Sequence, residues 1–450
     1  MYQLKIHLKQ HTPLIHFQHS QNGATLRATE VKPKLDRYLI ENEFGGILNF
    51  DEYKQYLIGD VAGLDKEWKK KDNDKAKIEW LQNQKLAFDY KLRISCSDVS
   101  YFLPLSLNPN SRHYPNKGRV LIEHIKNSIG INTAILAPAP YFANADKIKF
   151  NQERLNHNNT KVEELKLGLL ANEPIHLTIN TLSKSLLSLI EKHLAAFMVT
   201  STFGNRNSKG FGCFSLASQS LDDVKNIFRK PTKFSAVFEK LHQGDIASKF
   251  NFIAAQYGKL KRGVSERRNQ PYQKSLLWDY LCNNEPTNWE KKKIKTFLQQ
   301  NHAYEFNQLR TSTNDHRIDT CKAADENSFK YVRSLLGLAE HFEFVKERGK
   351  LKVNISDTLS HREETKHLAV ERFKSPLQYY IFNDTIFLLT TKIPEEFVYS
   401  IENNNKQIRQ FRFTFKNLSQ PNSFDIPVPE IFDLSDFIAQ QTDFVKIQTN

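Results

Sequence analysis

The tightest constraint on this chain is the run Thr202-Phe203-Gly204-Asn205-Arg206-Asn207-Ser208-Lys209-Gly210-Phe211-Gly212-Cys213-Phe214. The protein has only 16 glycines in 450 residues, and three of them fall within these few positions. Glycine is placed where the backbone must turn through positive φ or let another group come close. Arg206 and Lys209 add positive charge to that backbone, and phosphate is a natural partner for the combination. A plain tight turn would use the glycines for geometry alone.

The flanks say what the run connects. Ile175, Leu177 and Ile179 alternate with His176 and Thr178, the pattern of a half-buried strand. Thr181 or Ser183 can cap a helix reaching about Val199, with Leu182, Leu186, Leu189, Ile190, Leu194, Phe197 and Met198 on one side. Cys213 to Leu216 reads as the next strand. Further alternation at Tyr2–Lys9 and Lys85–Ser95 supplies more sheet. Pro13, which lacks an N–H, belongs at a bulge, an edge or the strand exit. Thr29 is placed to cap a first helix, with Pro33 in its opening turn and Leu35, Tyr38 and Leu39 as the buried face. Arg27, Lys32, Lys34 and Arg37 surround that helix start, partly offset by Glu30 and Asp36. This suits either a solvated helix or one that faces phosphate.

Composition enters through charge. Sixty-four Lys and Arg stand against 50 Asp and Glu, a formal charge of +14, which favours a polyanionic partner. Cys96, Cys213, Cys282 and Cys321 lie far apart with no CxxC pair, so neither a disulfide framework nor a cysteine-rich zinc site is expected. No secretory signal and no 18-residue apolar stretch occurs, and a reduced cytoplasmic setting is expected. His11 and His16 are five apart, on opposite faces of a strand, and no Asp or Glu precedes Glu30. With His19 they make no convincing metal set. No cofactor is called for.

Beyond residue 220 the character changes. Asp222–Arg229 reads as a short helix or connector, and Ile246, Phe250, Ile253 and Tyr257 mark a helix face. The segment 257–274 carries Lys259, Lys261, Arg262, Arg267, Arg268 and Lys274 against Glu266, with tyrosines near both ends, as a nucleic-acid backbone would require. The basic loop Ser111–Arg119, with Tyr114 inside it, is a second such candidate. Residues 51–84 and 283–325 are expected as helical insertions, and Phe329–Leu338 as a helix ending near Gly337. Two apolar runs meeting across Asn383-Asp384 predict a hairpin. Arg372 and Lys374 precede Ser375-Pro376, where proline interrupts pairing. Phe411–Phe415 reads as a strand and Asp433–Ile438 as a closing helix.

The strand running into Thr12-Pro13-Leu14-Ile15-His16-Phe17, then Leu26-Arg27 opening a helix, then a helix feeding Gly204-Asn205-Arg206-Asn207-Ser208-Lys209-Gly210-Phe211-Gly212, resembles the repeat-associated RNA-binding (RAMP) superfamily of CRISPR systems. The nearest likeness is to the Cmr1-like target-capture subunits of type III-B effector complexes. Their first domain carries a G-x-R-x-x-x-G-F-G loop, and their second an Arg shortly before Ser-Pro, as Arg372, Ser375 and Pro376 stand here. The resemblance implies an α+β chain of two ferredoxin-like (RRM-like, βαββαβ) domains with helical insertions, 1–220 and 221–450. It implies a non-catalytic subunit of an antiviral ribonucleoprotein, with crRNA, target RNA and other subunits of the complex as partners. RNA contacts are then expected from Arg206, Lys209 and the N–H groups around Gly204, Gly210 and Gly212, with Phe211 packing the loop down or stacking on a base. Arg27, Lys34 and Arg37 would assist, Lys261, Arg262, Arg267 and Arg268 would extend the surface, and Arg372 and Lys374 would flank it.

Two other readings remain open on sequence. A Cas6-like repeat-RNA endonuclease of the same superfamily would use His16 or His19 as acid or base, with Lys34 or Arg37 stabilising developing charge. A generic RRM would make Lys209–Leu216 itself a strand, with its aromatics exposed for stacking.

Overall fold

The computed structural model describes residues 1–15, 25–105, 134–138, 168–264, 273–309, 321, 324–325, 328–345, 350–402, 405–430 and 432–449. Helices and mainly antiparallel sheets make an α+β fold. The first sheet is built from β1 (Tyr2–Gln10), β2 (Lys91–Ser95), β3 (Ile175–Thr181) and β4 (Phe214–Leu216). Its spatial order is β2-β3-β1-β4, all antiparallel, with Ile6 opposite Leu177 and Leu8 opposite Leu216. Helices α1 (Ala28–Asn42) and α2 (Lys184–Thr200) cover one face. Leu8, Leu177 and Ile179 bury against Leu35, Leu39, Leu186, Ile190 and Phe197 in one core, which the period-two and period-3.6 patterns require. Ser183 caps α2 by accepting the Leu186 N–H at 3.2 Å. Arg27, and not Thr29, stands at the N-cap of α1, so Pro33 lies inside the helix instead of in its first turn.

A second sheet repeats the order. It comprises β5 (Ala236–Leu241), β6 (Leu377–Phe382), β7 (Thr385–Thr390) and β8 (Val445–Lys446), arranged β6-β7-β5-β8. The expected hairpin is present, with Phe382 opposite Thr385 across a two-residue turn and Asn383 at φ 51°. Both faces of this sheet are covered. Phe250, Ile253 and Tyr257 of α4 (Ile246–Lys261) and Phe437 and Ile438 of α5 (Leu434–Gln441) pack on one. Val224 and Phe228 of α3 (Leu221–Arg229) pack with Tyr380, Phe387 and Leu389 on the other.

Helices Val61–Lys69 and Asp74–Gln82 fill the expected first insertion, and Glu290–Asn301 and Ala303–Asn307 lie in the second. Phe329–Leu338 is not a helix. Phe329–Lys330 pairs with Asn288–Trp289, and a single 3-10 turn, Val332–Leu336, ends at Gly337 with φ 106°. A third antiparallel sheet, His341–Val345, Lys350–Asp357, Gln410–Phe415 and Ser423–Pro427, was foreseen only at 411–415. The cysteine expectation is corrected as well: Cys282 and Cys321 form a disulfide, their Cα atoms brought to 5.7 Å across 39 residues of sequence. No described helix is long and apolar enough to cross a membrane.

Candidate nucleic-acid interface

The glycine-rich run leaves α2 and is laced to the exit of β1. Phe203 N–H donates to Gly212 O at 3.0 Å, Gly212 N–H to Pro13 O at 3.0 Å, and Asn205 N–H to Ile15 O at 2.9 Å. Gly204 N–H donates to the Glu30 carboxylate of α1 at 2.7 Å, and Cys213 N–H to Thr12 Oγ1 at 2.9 Å. Gly204, Gly210 and Gly212 all have positive φ, as does Arg206 at 57°. A Cβ on Gly212 would stand 2.0 Å from Phe203 O. The glycines therefore answer to geometry. The amides of Gly204 and Gly212 are spent inside the chain, which corrects the expectation that they cradle phosphate.

The second half of the run docks onto the second sheet. Tyr379 N–H donates to Ser208 O at 3.1 Å, and Lys209 forms a parallel bridge to Tyr379. Gly210 packs against Ile253 and Ile381. Phe211 is fully buried and stacks on Phe250 at 4.2 Å. The Lys209 ammonium sits 3.0 Å from the Tyr257 ring centre. Burial, then the nearby Lys261 charge, push its pKa well below the usual lysine range. Lys209, Gly210 and Phe211 thus join the two sheets and do not face a ligand. A strand of exposed aromatics at 209–216, as in an RRM, is ruled out by the burial of Phe211.

Beside this junction a cleft of about 790 Å³ opens between α1, the later turns of α2, the segment after α3, and the approach to β6. Lys34, Arg37, Lys192, Lys230, Lys233 and Lys374 line it, with Glu41 the carboxylate among the lining residues. Two of these cations are occupied. Lys34 donates to Glu30 at 2.8 Å and to Thr202 O at 3.0 Å, and Lys192 pairs with Glu43 at 2.7 Å. Arg37, Lys230, Lys233 and Lys374 form no ion pair with the described residues. Desolvation lowers the pKa of Lys233, and the charges of Lys374 and Lys34 lower it further. Lys374 is lowered by desolvation and then by Lys34. Loss of solvent is the larger cause for both, and like charge at the cleft wall adds to it, with Glu41 opposing the shift at Lys233.

Three expected residues, Lys34, Arg37 and Lys374, are brought together here from opposite ends of the chain. Arg27 is half-buried at the α1 cap and Arg206 is half-buried in the loop, both outside the cleft lining. Lys261 turns inward, donating to Gly337 O at 2.6 Å and Leu336 O at 3.2 Å, and desolvation lowers its pKa to about 7. That corrects its expected place on an RNA surface. Arg262 is exposed beyond α4, and Arg372 pairs with Glu340 at 3.3 Å. Arg267, Arg268, His16, His19 and the loop 111–119 lie outside the described residues. Lys192, Lys230 and Lys233 were missed, although Lys230-Pro231-Thr232-Lys233, a short basic stretch at the end of a helix, was a readable signal.

The molecule so described is an α+β protein of two like-ordered antiparallel sheets meeting at a cation-lined cleft. The family model of the Cmr1 N-terminal domain matches residues 1–264 and that of the Cmr1 C-terminal domain residues 272–450, so the chain belongs to the Cmr1 family. As a member it is a non-catalytic, RNA-binding-type subunit of a type III CRISPR effector complex, which sets aside the endonuclease reading. The structure of Cmr1 from Pyrococcus furiosus in its apo form aligns with 100% of this chain and 99% of that one, at 10% identity and a TM-score of 0.34. No curated protein matches.

Proposed function

We propose that the cleft between the two sheets holds the backbone of single-stranded guide or target RNA. The observation that carries this is the convergence of six cations, from α1, α2, the segment after α3 and the approach to β6, of which only Lys34 and Lys192 are held in ion pairs with described residues. Cations crowded enough to lower one another's pKa are relieved by a polyanion, and phosphate contacts position RNA without reading its sequence. That suits a subunit whose complex must accept many guides. Arg37, Lys230, Lys233 and Lys374 make the direct contacts. Lys34 holds α1 to the glycine-rich loop and adds field.

The repeated strand order, with a helix after the first and before the last strand of each set, supports two ferredoxin-like domains. We place them at 1–220 and 221–450, because β5 belongs to the second sheet and α4 packs on it, whereas the family models divide the chain after 264. The proposal is tested by RNA binding of the full chain over a salt series. Replacing Arg37, Lys233 and Lys374 by alanine removes three phosphate contacts and lowers the magnitude of the log–log salt slope by roughly 2 for single-stranded RNA. An unchanged slope and affinity with the fold intact would reject the cleft.

A further inference from the structure

The two sheets share a strand order but differ in how they are covered. In the second, the face turned away from α4 and α5 is apolar, and α3 lies on it. In the first, no described element covers the face turned away from α1 and α2. Alternation sends Lys5, His7 and Lys9 of β1, His176 of β3, and Lys91 and Arg93 of β2 outward on that face, and all six are exposed. The remaining outward positions of these three strands are uncharged polar residues, so the face carries four cations and no carboxylate. Register fixes the arrangement: His7 lies opposite His176, and Lys5 and Arg93 flank Thr178 in the next row. The two imidazoles meet edge to face, with ring centres 4.7 Å apart. Lys9 reaches across to Asn383 at 3.0 Å, marking where the second sheet's hairpin borders the face.

We propose that this sheet face is a second single-stranded RNA surface, distinct from the cleft. Its chemistry is that of a strand-tracking platform: ammonium and guanidinium groups for phosphates, imidazole rings on which a base can stack, and amide and hydroxyl groups between them. A protein partner would need buried apolar or aromatic anchors, which protein interfaces concentrate at their centres and where lysine is depleted. The face offers none. Charge complementarity therefore selects RNA as the occupant.

The test uses the full chain and a fluorescein-labelled oligouridylate of about 20 nucleotides, long enough to track several phosphates. The K5A/K91A/R93A variant binds about tenfold more weakly, and its salt slope falls by roughly 2 in magnitude, whether or not Arg37, Lys233 and Lys374 are also replaced. Wild-type binding and slope in both backgrounds would overturn the proposal. Photocrosslinking of unmodified protein to a 4-thiouridine oligonucleotide guards against a misfolded variant. Adducts on the peptides holding His7, Arg93 or His176 support the site, and adducts found only elsewhere overturn it. In the assembled complex, thiouridine placed in the guide or in the target strand tells which RNA supplies the contact. A K5A/K91A/R93A variant that binds RNA normally but drops out of the complex would make the face a protein contact and overturn the proposal.

Discussion

His11 shows how a single side chain can be readable in kind and unreadable in role. The sequence offers it together with His16 and His19 near the N-terminus. In the structure it is buried at the junction of the sheets, 2.9 Å from Ser215 Oγ, with Asn383 N–H donating to its Nδ1 at 3.4 Å. Burial, then the charges of Lys9 and Lys249, lower its pKa to about 3. Between about 6.5 and 3 the unfolded chain binds a proton there that the folded chain refuses. Stability therefore falls as pH drops through that window. Relative to H11Q, the wild-type protein should lose about 2–3 kcal/mol more between pH 7 and 4.5, measured by urea unfolding. Equal losses would refute this account of the junction. Gly212 makes the companion case. G212A must place a Cβ 2.0 Å from Phe203 O at φ 65°, and should lose at least about 2 kcal/mol in the same assay.

At the scale of elements, the regular pieces were legible because their periods are. β1, β3, α2, the β6–β7 hairpin and the helix capped by Asp433 all follow from alternation, three-and-four spacing and turn chemistry. What escaped was set by long-range contact. The strands at 341–357 form around Val353, Phe411, Phe413 and Phe415, which lie up to 62 residues apart in sequence. The glycine-rich run was recognised as special, but its purpose was read outward. The residues that looked poised for phosphate, Lys209 and Phe211, turn to Tyr257 and Phe250 of α4. K209A should therefore lower the urea midpoint, by about 1–3 kcal/mol in stability, while leaving the RNA salt slope at its wild-type value. A slope reduced by the loss of one phosphate contact, with stability unchanged, would return Lys209 to the ligand surface.

For the whole molecule, function rests on how two sheets of one design are set against each other. The glycine-rich loop, His11 and Lys9 fasten them, and the cleft is what remains between α1, α2 and the approach to β6. Net charge announced a polyanion, and Lys34, Arg37 and Lys374 were each visible in the sequence, but nothing in their spacing said that they converge. Only the fold brings residues 34 and 374 to one wall. The cation crowding also carries a pH signature. Because desolvation and neighbouring charge lower the pKa of Lys233 and Lys374, they lose their protons at lower pH than ordinary lysines. RNA affinity should accordingly decline with rising pH earlier than it does for a K233R/K374R variant, whose guanidinium groups stay charged. The central claim is tested most directly by mapping RNA–protein crosslinks in the native complex assembled on 4-thiouridine RNA. Adducts on the α1 peptide holding Arg37, on Lys230–Lys233 and around Lys374, lost together in R37A/K233A/K374A, are the predicted result. Adducts confined to other surfaces, with these three peptides unmodified, would contradict it.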